Sequence, residues 1–356
     1  MDESIDVANM KHVCILARYV HEGDIKMFLL DLVRVKAANS ESLFLCLMYT
    51  LKKYNLPINN LIGFCANNTN VMMDKHNSVA PRLLEVNVEI SIFPCIRHSF
   101  HLIARHAYEV LFKEFDNFLY AVYTYFAHSP KRQIALETKQ KEMKIQQQKI
   151  LKPSPTRWLS LHGCIERILM QWAALCAVFK DATESHESAI AARLNKNFNC
   201  PYMKAYLEFL ILPLGLITNF IATFQKNDFV IHNMLSVCLT LVRHLAGFFI
   251  KRDYVRMENI YELNIDDQDN LLTIEETYIG EDAICTMNEI RNRNTMEDAN
   301  KIKEFYETAQ RFYKITFKEL VRCIPFNETF LHSLNFLKPE IALTIQRTSR
   351  IQFVKL

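Results

Sequence analysis

The chain has 356 residues, of which 50% are hydrophobic and 23% are charged, and its net charge is +3. This balance predicts a globular protein of about two domains with a sizeable core, and it permits nucleic-acid binding without requiring it. Because there are only six glycines and no GxGxxG, GxxxxGK or GxSxG string, dinucleotide-cofactor, P-loop and serine-hydrolase functions are disfavoured.

The cysteines and the most apolar stretch bear on the compartment. The ten cysteines form no CxxC pair, which favours a reduced, intracellular protein over a disulfide scaffold. The most membrane-like stretch, residues 209–224, is interrupted by Pro213. It is shorter than the roughly 20 residues that span a bilayer. We therefore expect a buried helix there and no membrane association.

The first third of the chain alternates between strand and helix patterns. Residues 13–20 and 25–35 are apolar runs joined by a turn signal, and residues 61–66 and 89–95 are shorter strand candidates. Ser40 is a candidate N-cap for a helix over residues 41–54, and a second helix is expected to reach about Leu84, with a restart at Pro81. This order predicts a mixed α/β sheet.

Beyond His98 the pattern is helical. Helical spacing covers residues 100–126, 158–179, 202–224, 231–250 and 302–320. Residues 133–149 are polar and glutamine-rich, so they form either an exposed helix or a loosely ordered segment, and residues 253–282 look like an acidic loop. We divide the chain into an α/β region (1–128), a basic connector (129–156) and an α-helical region (157–356).

Several strings, in order along the chain, resemble transposases of the hAT superfamily, in the animal branch whose members often carry BED zinc fingers. The strings are DESIDVANM (2–10), GFCANNTNVM (63–72), CIRH (95–98), SPKR (129–132) and PTRWLS (155–160). The resemblance implies an incomplete ribonuclease H-like α/β core followed by a large helical insertion. The fold class we expect is therefore α/β plus all-α.

The same resemblance implies a catalytic site of two aspartates and a glutamate that hold two Mg²⁺ ions, since paired hard cations activate water and stabilise the leaving oxygen. Asp2 falls at the first aspartate, but Asn67 falls at the second and removes a negative charge. Glu319, Glu328 and Glu340 follow later, and none lies in a matching string. We therefore expect a protein that is not an enzyme and needs no cofactor, with Mg²⁺ belonging to the ancestral family.

The chain also looks shortened at both ends relative to that family. The resemblance implies an apolar strand before Asp2, a BED finger further upstream and a C-terminal dimerisation segment. Without the preceding strand, the alternative is that Asp2 is a frayed terminal residue. The missing strand also puts the sheet itself in question, because its neighbours would have unpaired edges.

Candidate DNA-binding residues lie in three of the matching strings, one of which begins the basic connector. The resemblance implies that Arg157 and Trp158 hold a distorted DNA end, and that His98 lies near a phosphate. Lys131 and Arg132 begin a lysine-rich segment that is able to follow a phosphate backbone. The alternatives are a core tryptophan, a capping histidine and solvated helix charges.

Cys95, His98 and His101 have a spacing that resembles part of a zinc site. His106 lies five residues further on, and these side chains do not converge as a tetrahedron from one helix. The expected metal set is therefore none, with packing of these side chains as the simpler interpretation.

Together these features predict a non-catalytic hAT transposase-derived protein that retains DNA or protein binding. Its expected location is the nucleus, its expected partners are DNA and other nuclear proteins, and no small-molecule substrate is expected. Three alternatives stay open: a residual Mg²⁺-dependent nuclease with Asp74 as the substitute acid, a helical interaction scaffold, and a degenerate transposon relic.

Overall fold

The structure, a computed structural model, describes residues 1–6, 8–109, 113–154, 160–224, 231–293, 295–327, 331, 332 and 334. The chain forms two compact units, Met1–Ser99 and Phe100–Leu356. The first is α/β and the second is helical in its described part, so the expected α/β plus all-α class is confirmed at this level. The boundaries proposed at residues 128 and 156 stay predictions.

The first unit holds all the strands of the described chain and four helical segments. The strands are β1 (Asp2–Ile5), β2 (Lys11–His21), β3 (Asp24–Arg34), β4 (Gly63–Ala66) and β5 (Ser91–Pro94). The helices are α1 (Ser40–Lys53), α2 (Asn70–Met73), α3 (Val79–Val86) and α4 (Ile96–Tyr108), of which the last continues into the second unit. The four predicted strands are confirmed, and β1 was not predicted.

The β2–β3 hairpin follows from its turn. Glu22 and Gly23 have φ angles of 53° and 82°, the left-handed pair that a two-residue hairpin turn requires. A bulge shifts the pairing between Ile15 and Leu16. Strands β1, β2 and β3 form one antiparallel sheet, and β4 and β5 form a separate parallel pair.

Helix α1 is capped one residue earlier than predicted. The side chain of Asn39, rather than that of Ser40, accepts a hydrogen bond from the backbone N–H of Ser42. Asparagine is as good a cap as serine, and Asn39 has the extended backbone that a cap needs. Ser40 instead begins the helix and donates to the Asn77 side chain at 2.9 Å.

A single hydrophobic cluster contains side chains from both sheets of this unit. Leu43 and Leu47 of α1 are buried with Val13 of β2, Phe64 of β4 and Leu83 of α3. The apolar spacing of α1 places its leucines on one face, which is the face that this cluster buries. The cluster therefore links two sheets that form separate hydrogen-bonded ladders.

The far half of the β2–β3 hairpin adds little to that core. Leu16, Val20, Ile25, Met27 and Phe28 are all at least half exposed. The buried side chains of the hairpin lie in its near half, at Val13, Ile15 and Leu30. The stability of the unit therefore depends on the near half.

The second unit is a set of packed helices. They are α5 (Lys113–Ala127), α6 (Pro130–Glu142), α7 (Ser160–Met170), α8 (Trp172–Glu184), α9 (Ala189–Phe198), α10 (Pro201–Phe224), α11 (Met234–Ala246), α12 (Arg252–Val255), α13 (Glu281–Arg291) and α14 (Met296–Cys323). The predicted helices are confirmed. The acidic segment of residues 253–282 contains α12, the start of α13 and three short 3₁₀ turns, which agrees with its loop-like sequence.

Aromatic rings fill two places between these helices. Phe179 of α8 contacts Tyr125 of α5 and Phe198 of α9, at ring-centroid distances of 5.0 and 5.2 Å. Phe209 of α10 contacts Tyr313 of α14 at 5.4 Å. Buried rings contribute large apolar areas; the Phe179–Phe198 pair is stacked, the Phe179–Tyr125 pair is tilted and the Phe209–Tyr313 pair is edge-on. The two clusters hold α5, α8 and α9 together, and α10 with α14.

Helix α10 is long and apolar enough to cross a membrane by length and composition. Its side chains Phe209, Leu210 and Leu214 are buried among the helices of this unit, as predicted for a core helix. Pro213 lies inside the helix without ending it. Proline has no backbone N–H, so the helix lacks one hydrogen bond at that turn.

The polar connector is partly a helix with a buried face. In α6, Gln140 is 1% exposed, and its Nε2 donates to Oε1 of Gln171 at 2.9 Å. Gln171, which is 0% exposed, donates to the backbone carbonyl of Gln146 at 3.1 Å. Buried amides need such partners, because an unpaired one gives up its bonds to water without replacement.

We predict that Gln171→Ala lowers the free energy of unfolding by about 1–3 kcal/mol, because it removes one of the two hydrogen bonds that Nε2 of the buried Gln140 donates and also the bond to the carbonyl of Gln146. The measurement is urea unfolding followed by circular dichroism. Gln147→Ala, at an exposed position of the same connector, is the matched control and should change stability by less than about 0.5 kcal/mol. Equal effects of the two substitutions would contradict the role given to the buried pair.

Candidate functional site

The two positions that the resemblance assigns to catalytic aspartates lie together in the first unit. Asp2 begins β1 and pairs in register with Cys14 of β2. Asn67 follows β4 directly. The N-terminal ammonium of Met1 donates to the carbonyl of Cys65 in β4 at 2.8 Å, which draws the start of β1 to the end of β4. Asp2 is therefore a paired strand residue, and the alternative of a frayed terminus is wrong.

The side chains of Asp2 and Asn67 are hydrogen-bonded to each other. Nδ2 of Asn67 donates to Oδ1 of Asp2 at 3.1 Å. The orientation of the amide follows from its other end, because Oδ1 of Asn67 accepts from the hydroxyl of Thr69 at 2.7 Å and from its backbone N–H at 3.4 Å. An N–H donor thus faces the carboxylate of Asp2.

A second polar group lies beside this pair. Asn68 donates through Nδ2 to the hydroxyl of Ser99 at 2.6 Å, and that hydroxyl donates to the carbonyl of Cys95 at 3.2 Å. His98 is half-buried, and burial lowers the pKa of its imidazole although the carboxylate of Asp2 acts in the opposite direction. The start of α4 thus borders the Asp2–Asn67 pair.

These side chains do not fit a pair of Mg²⁺ ions. Such ions require several oxygen ligands that carry negative charge. Asp2 offers one carboxylate, and Asn67 turns its amide nitrogen, which cannot bind a cation, towards that carboxylate. Within the described ranges, no group of three or more His, Cys, Asp or Glu side chains is placed to hold a metal ion.

Of the three glutamates that follow later in the chain, the structure describes Glu319. Glu319 lies in α14, where Oε2 is 3.0 Å from Nδ1 of His106 and 2.6 Å from an Arg322 nitrogen. Burial opposes ionisation of Glu319, but these two partners outweigh it and lower its pKa. The carboxylate is thus engaged in ion pairs. Glu328 and Glu340 lie outside the described residues.

Arg132, predicted to contact DNA, is held by neighbours in its own unit. Its Nε lies 2.7 Å from Oε1 of Glu187, and its guanidinium lies 3.9 Å from the centre of the Tyr125 ring. It also donates to the backbone carbonyl of Tyr125 at 3.2 Å. Arg132 therefore links α5 and α6 to Glu187, in the turn between α8 and α9. Lys131, by contrast, is exposed.

The remaining basic connector offers a surface for anions. Lys139 is paired with Asp181 at 2.9 Å and with Glu142 at 3.3 Å. The exposed lysines of this connector that make no ion pair within the described part of the chain are Lys131, Lys141, Lys144, Lys149 and Lys152. We call these five residues the basic strip.

Arg157 and Trp158 lie outside the described residues, so their predicted role in DNA binding stays a prediction. His101 and Cys95 are half-buried, and His106 is engaged with Glu319. The spacing that resembled half of a zinc site thus places its residues in different surroundings.

Three residues of these networks were not singled out from the sequence. Asn68 follows Asn67 and Ser99 follows His98, and both of these neighbours were singled out. Adjacency in the sequence is therefore the signal that could have identified Asn68 and Ser99. Glu187 has no such signal, because it is 55 residues from Arg132 along the chain. Only the packing of helices brings these two together.

Comparison with known families supports the sequence resemblance in part. Residues 1–78 match the family model described as "ZMYM1/FAM200, RNase-like domain". The match covers 78 of the 356 residues and contains both Asp2 and Asn67. It supports a transposase-derived, RNase-like domain at the start of the chain. No curated protein matches the sequence.

We predict that Asn67→Asp lowers the unfolding temperature at pH 7, because two carboxylates about 3 Å apart repel. The repulsion would raise the carboxyl pKa of the new pair of aspartates. The variant should therefore be less stable at neutral pH and recover stability as the pH falls through that raised pKa. Added Mg²⁺ should raise the unfolding temperature of this variant and leave that of the parent unchanged. The measurement is differential scanning fluorimetry.

The control for this prediction is Asn59→Asp, which adds the same charge at an exposed position. It should show neither the pH effect nor the Mg²⁺ effect. A parent protein that Mg²⁺ stabilises as strongly as the variant would show that Asn67 does not prevent metal binding.

We predict that Arg132→Ala destabilises the second unit by about 1–3 kcal/mol, because it removes a charged hydrogen bond and the packing of the guanidinium on the Tyr125 ring. The hydrogen bond from Arg132 is the main cause that lowers the pKa of Glu187. A carboxyl group whose pKa is lowered in the folded protein contributes stability at pH values above its pKa in the unfolded chain, about 4.3. That stability disappears as the pH falls through the pKa of the folded protein.

The stability difference between the parent and Arg132→Ala should therefore shrink between pH 6 and pH 3, as measured by urea unfolding. Lys141→Ala, at an exposed position of α6, is the matched control and should leave stability unchanged at each pH. A difference that does not depend on pH would show that the pair with Glu187 is not its source.

Proposed function

We propose that this chain is a hAT-type transposase-derived protein whose ribonuclease H-like core no longer cuts DNA and which retains binding to DNA. The observation that carries the proposal is the contact between Asp2 and Asn67. It brings together the two positions that the resemblance assigns to catalytic acids, and it replaces one acid by a neutral donor.

The strand arrangement supports a core of this kind. The antiparallel sheet and the parallel pair share one hydrophobic cluster, and the Met1–Cys65 bond joins β1 to β4. The acid positions consequently meet where two neighbouring strands come together. The two positions are adjacent, but one of them carries an amide that is hydrogen-bonded to the aspartate. We therefore propose that the domain is better suited to binding than to hydrolysis.

Loss of catalysis has an electrostatic reason. Two metal ions about 4 Å apart repel each other strongly unless several carboxylates neutralise them. The described site provides one exposed carboxylate, at Asp2, which already accepts a hydrogen bond from Asn67. We therefore propose that the protein is not an enzyme and holds no resident cofactor.

The basic strip supports retained DNA contact. Its exposed lysines lie in the connector, where no described carboxylate pairs with them. Binding to phosphates through such side chains releases counterions, so affinity falls as salt rises. DNA and other nuclear proteins are the proposed partners, and the nucleus is the proposed location.

The test is fluorescence anisotropy with labelled DNA duplexes and hairpins, at low and moderate salt, with Mg²⁺ present and the DNA checked for cleavage. We expect saturable, salt-sensitive binding and intact DNA. Replacing Lys141, Lys144 and Lys149 together by alanine should weaken binding. It should also reduce the slope of log K against log salt by about 0.9 for each phosphate that these lysines neutralise in the parent.

The matched control replaces three other exposed lysines, Lys75, Lys180 and Lys303, and should leave binding unchanged. Cleavage that disappears in Asp2→Ala would overturn the proposal in favour of a residual nuclease. Absence of binding at low salt would overturn it in favour of a scaffold or a degenerate relic.

A further inference from the structure

A groove of about 810 Å³ lies among the helices of the second unit. Asn117, Tyr120 and Thr124 of α5 line one wall, at the spacing that places side chains on one helix face. Ile190 and Arg193 of α9 line the other wall. Because α5 and α9 belong to the same unit and pack together, this groove is a feature of that unit alone.

The groove presents one exposed aromatic ring. Tyr120 is 51% exposed, although it lies among apolar lining residues, and its ring centre is 6.4 Å from that of Tyr123. Tyr125 lines the groove too, but it is buried and stacked on Arg132. An exposed ring in an apolar groove has a face that a ligand with a planar ring can cover.

Among the described residues, the charged side chains that line the groove are Arg132 and Arg193. Arg193 is exposed and makes no ion pair within the described part of the chain. Lys131 and Lys152 of the basic strip immediately precede Arg132 and Pro153, which line the groove. The described acidic side chain that contacts the lining, Glu187, is already paired with Arg132.

We propose that this groove binds a single-stranded segment of DNA, with the Tyr120 ring stacked on a base and Arg193 in contact with a phosphate. Single strands expose both the base faces and the backbone, and proteins bind them with aromatic stacking in positively charged grooves. In a duplex the base faces are covered by their neighbours, so the Tyr120 ring has nothing to stack on. The inference rests on the proposed DNA-binding function and adds the form of DNA and the residues.

Complementarity of charge and shape favours this occupant over a peptide or a small neutral molecule. An acidic peptide would match Arg193 and the lysines but would leave the exposed face of Tyr120 uncovered. A small apolar ligand would cover Tyr120 without using the cations. A nucleotide strand carries planar rings and anionic phosphates in one chain. The lining carries the aromatic and cationic side chains that are complementary to them.

The test measures the anisotropy of a labelled oligothymidine, which forms no duplex, beside that of a labelled duplex, using the full chain. Tyr120→Ala should weaken binding to oligothymidine by about tenfold. Arg193→Ala should also weaken it and reduce its salt slope by about 0.7, the value for one phosphate contact on a single strand. Neither variant should change duplex binding.

Matched controls come from exposed residues elsewhere. Tyr49→Ala removes a comparable exposed tyrosine from α1, and Arg252→Ala removes an exposed arginine from α12. Neither should affect oligothymidine binding. Tyr120→Trp should restore affinity, and oligothymidine should quench the new emission, which a purely structural role for Tyr120 would not produce.

The outcomes separate this inference from the function on which it rests. Oligothymidine binding that is unaffected by Tyr120→Ala and Arg193→Ala would overturn the groove as the site. Duplex binding without oligothymidine binding would overturn the inference and leave the proposed function intact. Absence of binding to either DNA would overturn both.

Discussion

The first unit depends on one hydrophobic cluster, because its two sheets form separate hydrogen-bonded ladders and share a core. Leu43 and Leu47 of α1 lie in this cluster between residues of both sheets. Burial of apolar side chains has no preferred direction, so it fixes the relative position of the two sheets only as closely as the shapes of their side chains allow. The Met1–Cys65 bond adds a directional contact between β1 and β4. Together these two forces bring Asp2 and Asn67, 65 residues apart in the chain, within hydrogen-bonding distance.

The second unit uses aromatic contacts and buried amides for the same purpose. Rings of α5, α8 and α9 meet at Phe179, and the amides of Gln140 and Gln171 join the connector to the Gln171 corner between α7 and α8. Amide pairs are directional, so they determine which glutamine of a polar segment is buried and which remains in solvent. The same packing separates the exposed faces of α5 and α9 by a groove and leaves Tyr120 uncovered within it.

The distribution of charge is the basis on which we propose binding rather than catalysis. Near Asp2 the structure holds an amide donor where a second negative charge would be needed to neutralise cations. In the connector, some basic residues are consumed by intrachain pairs, as Arg132 is by Glu187. The lysines of the basic strip are exposed and lack such partners among the described residues. The lysine charges of the basic strip are therefore available to attract a polyanion.

Local sequence was enough to predict the hairpin, the short strands and most helices. These features depend on residues within one turn or one strand, such as Glu22 and Gly23, whose left-handed backbone closes the hairpin. Local pattern did not predict β1, because the strand status of Asp2 depends on its pairing with β2 and on a bond to β4. Nor did it predict that Arg132 is held by Glu187, 55 residues away. The propensities of a segment are set by its own side chains, whereas its partners are chosen by how distant segments exclude water together, and this becomes defined only when the chain packs.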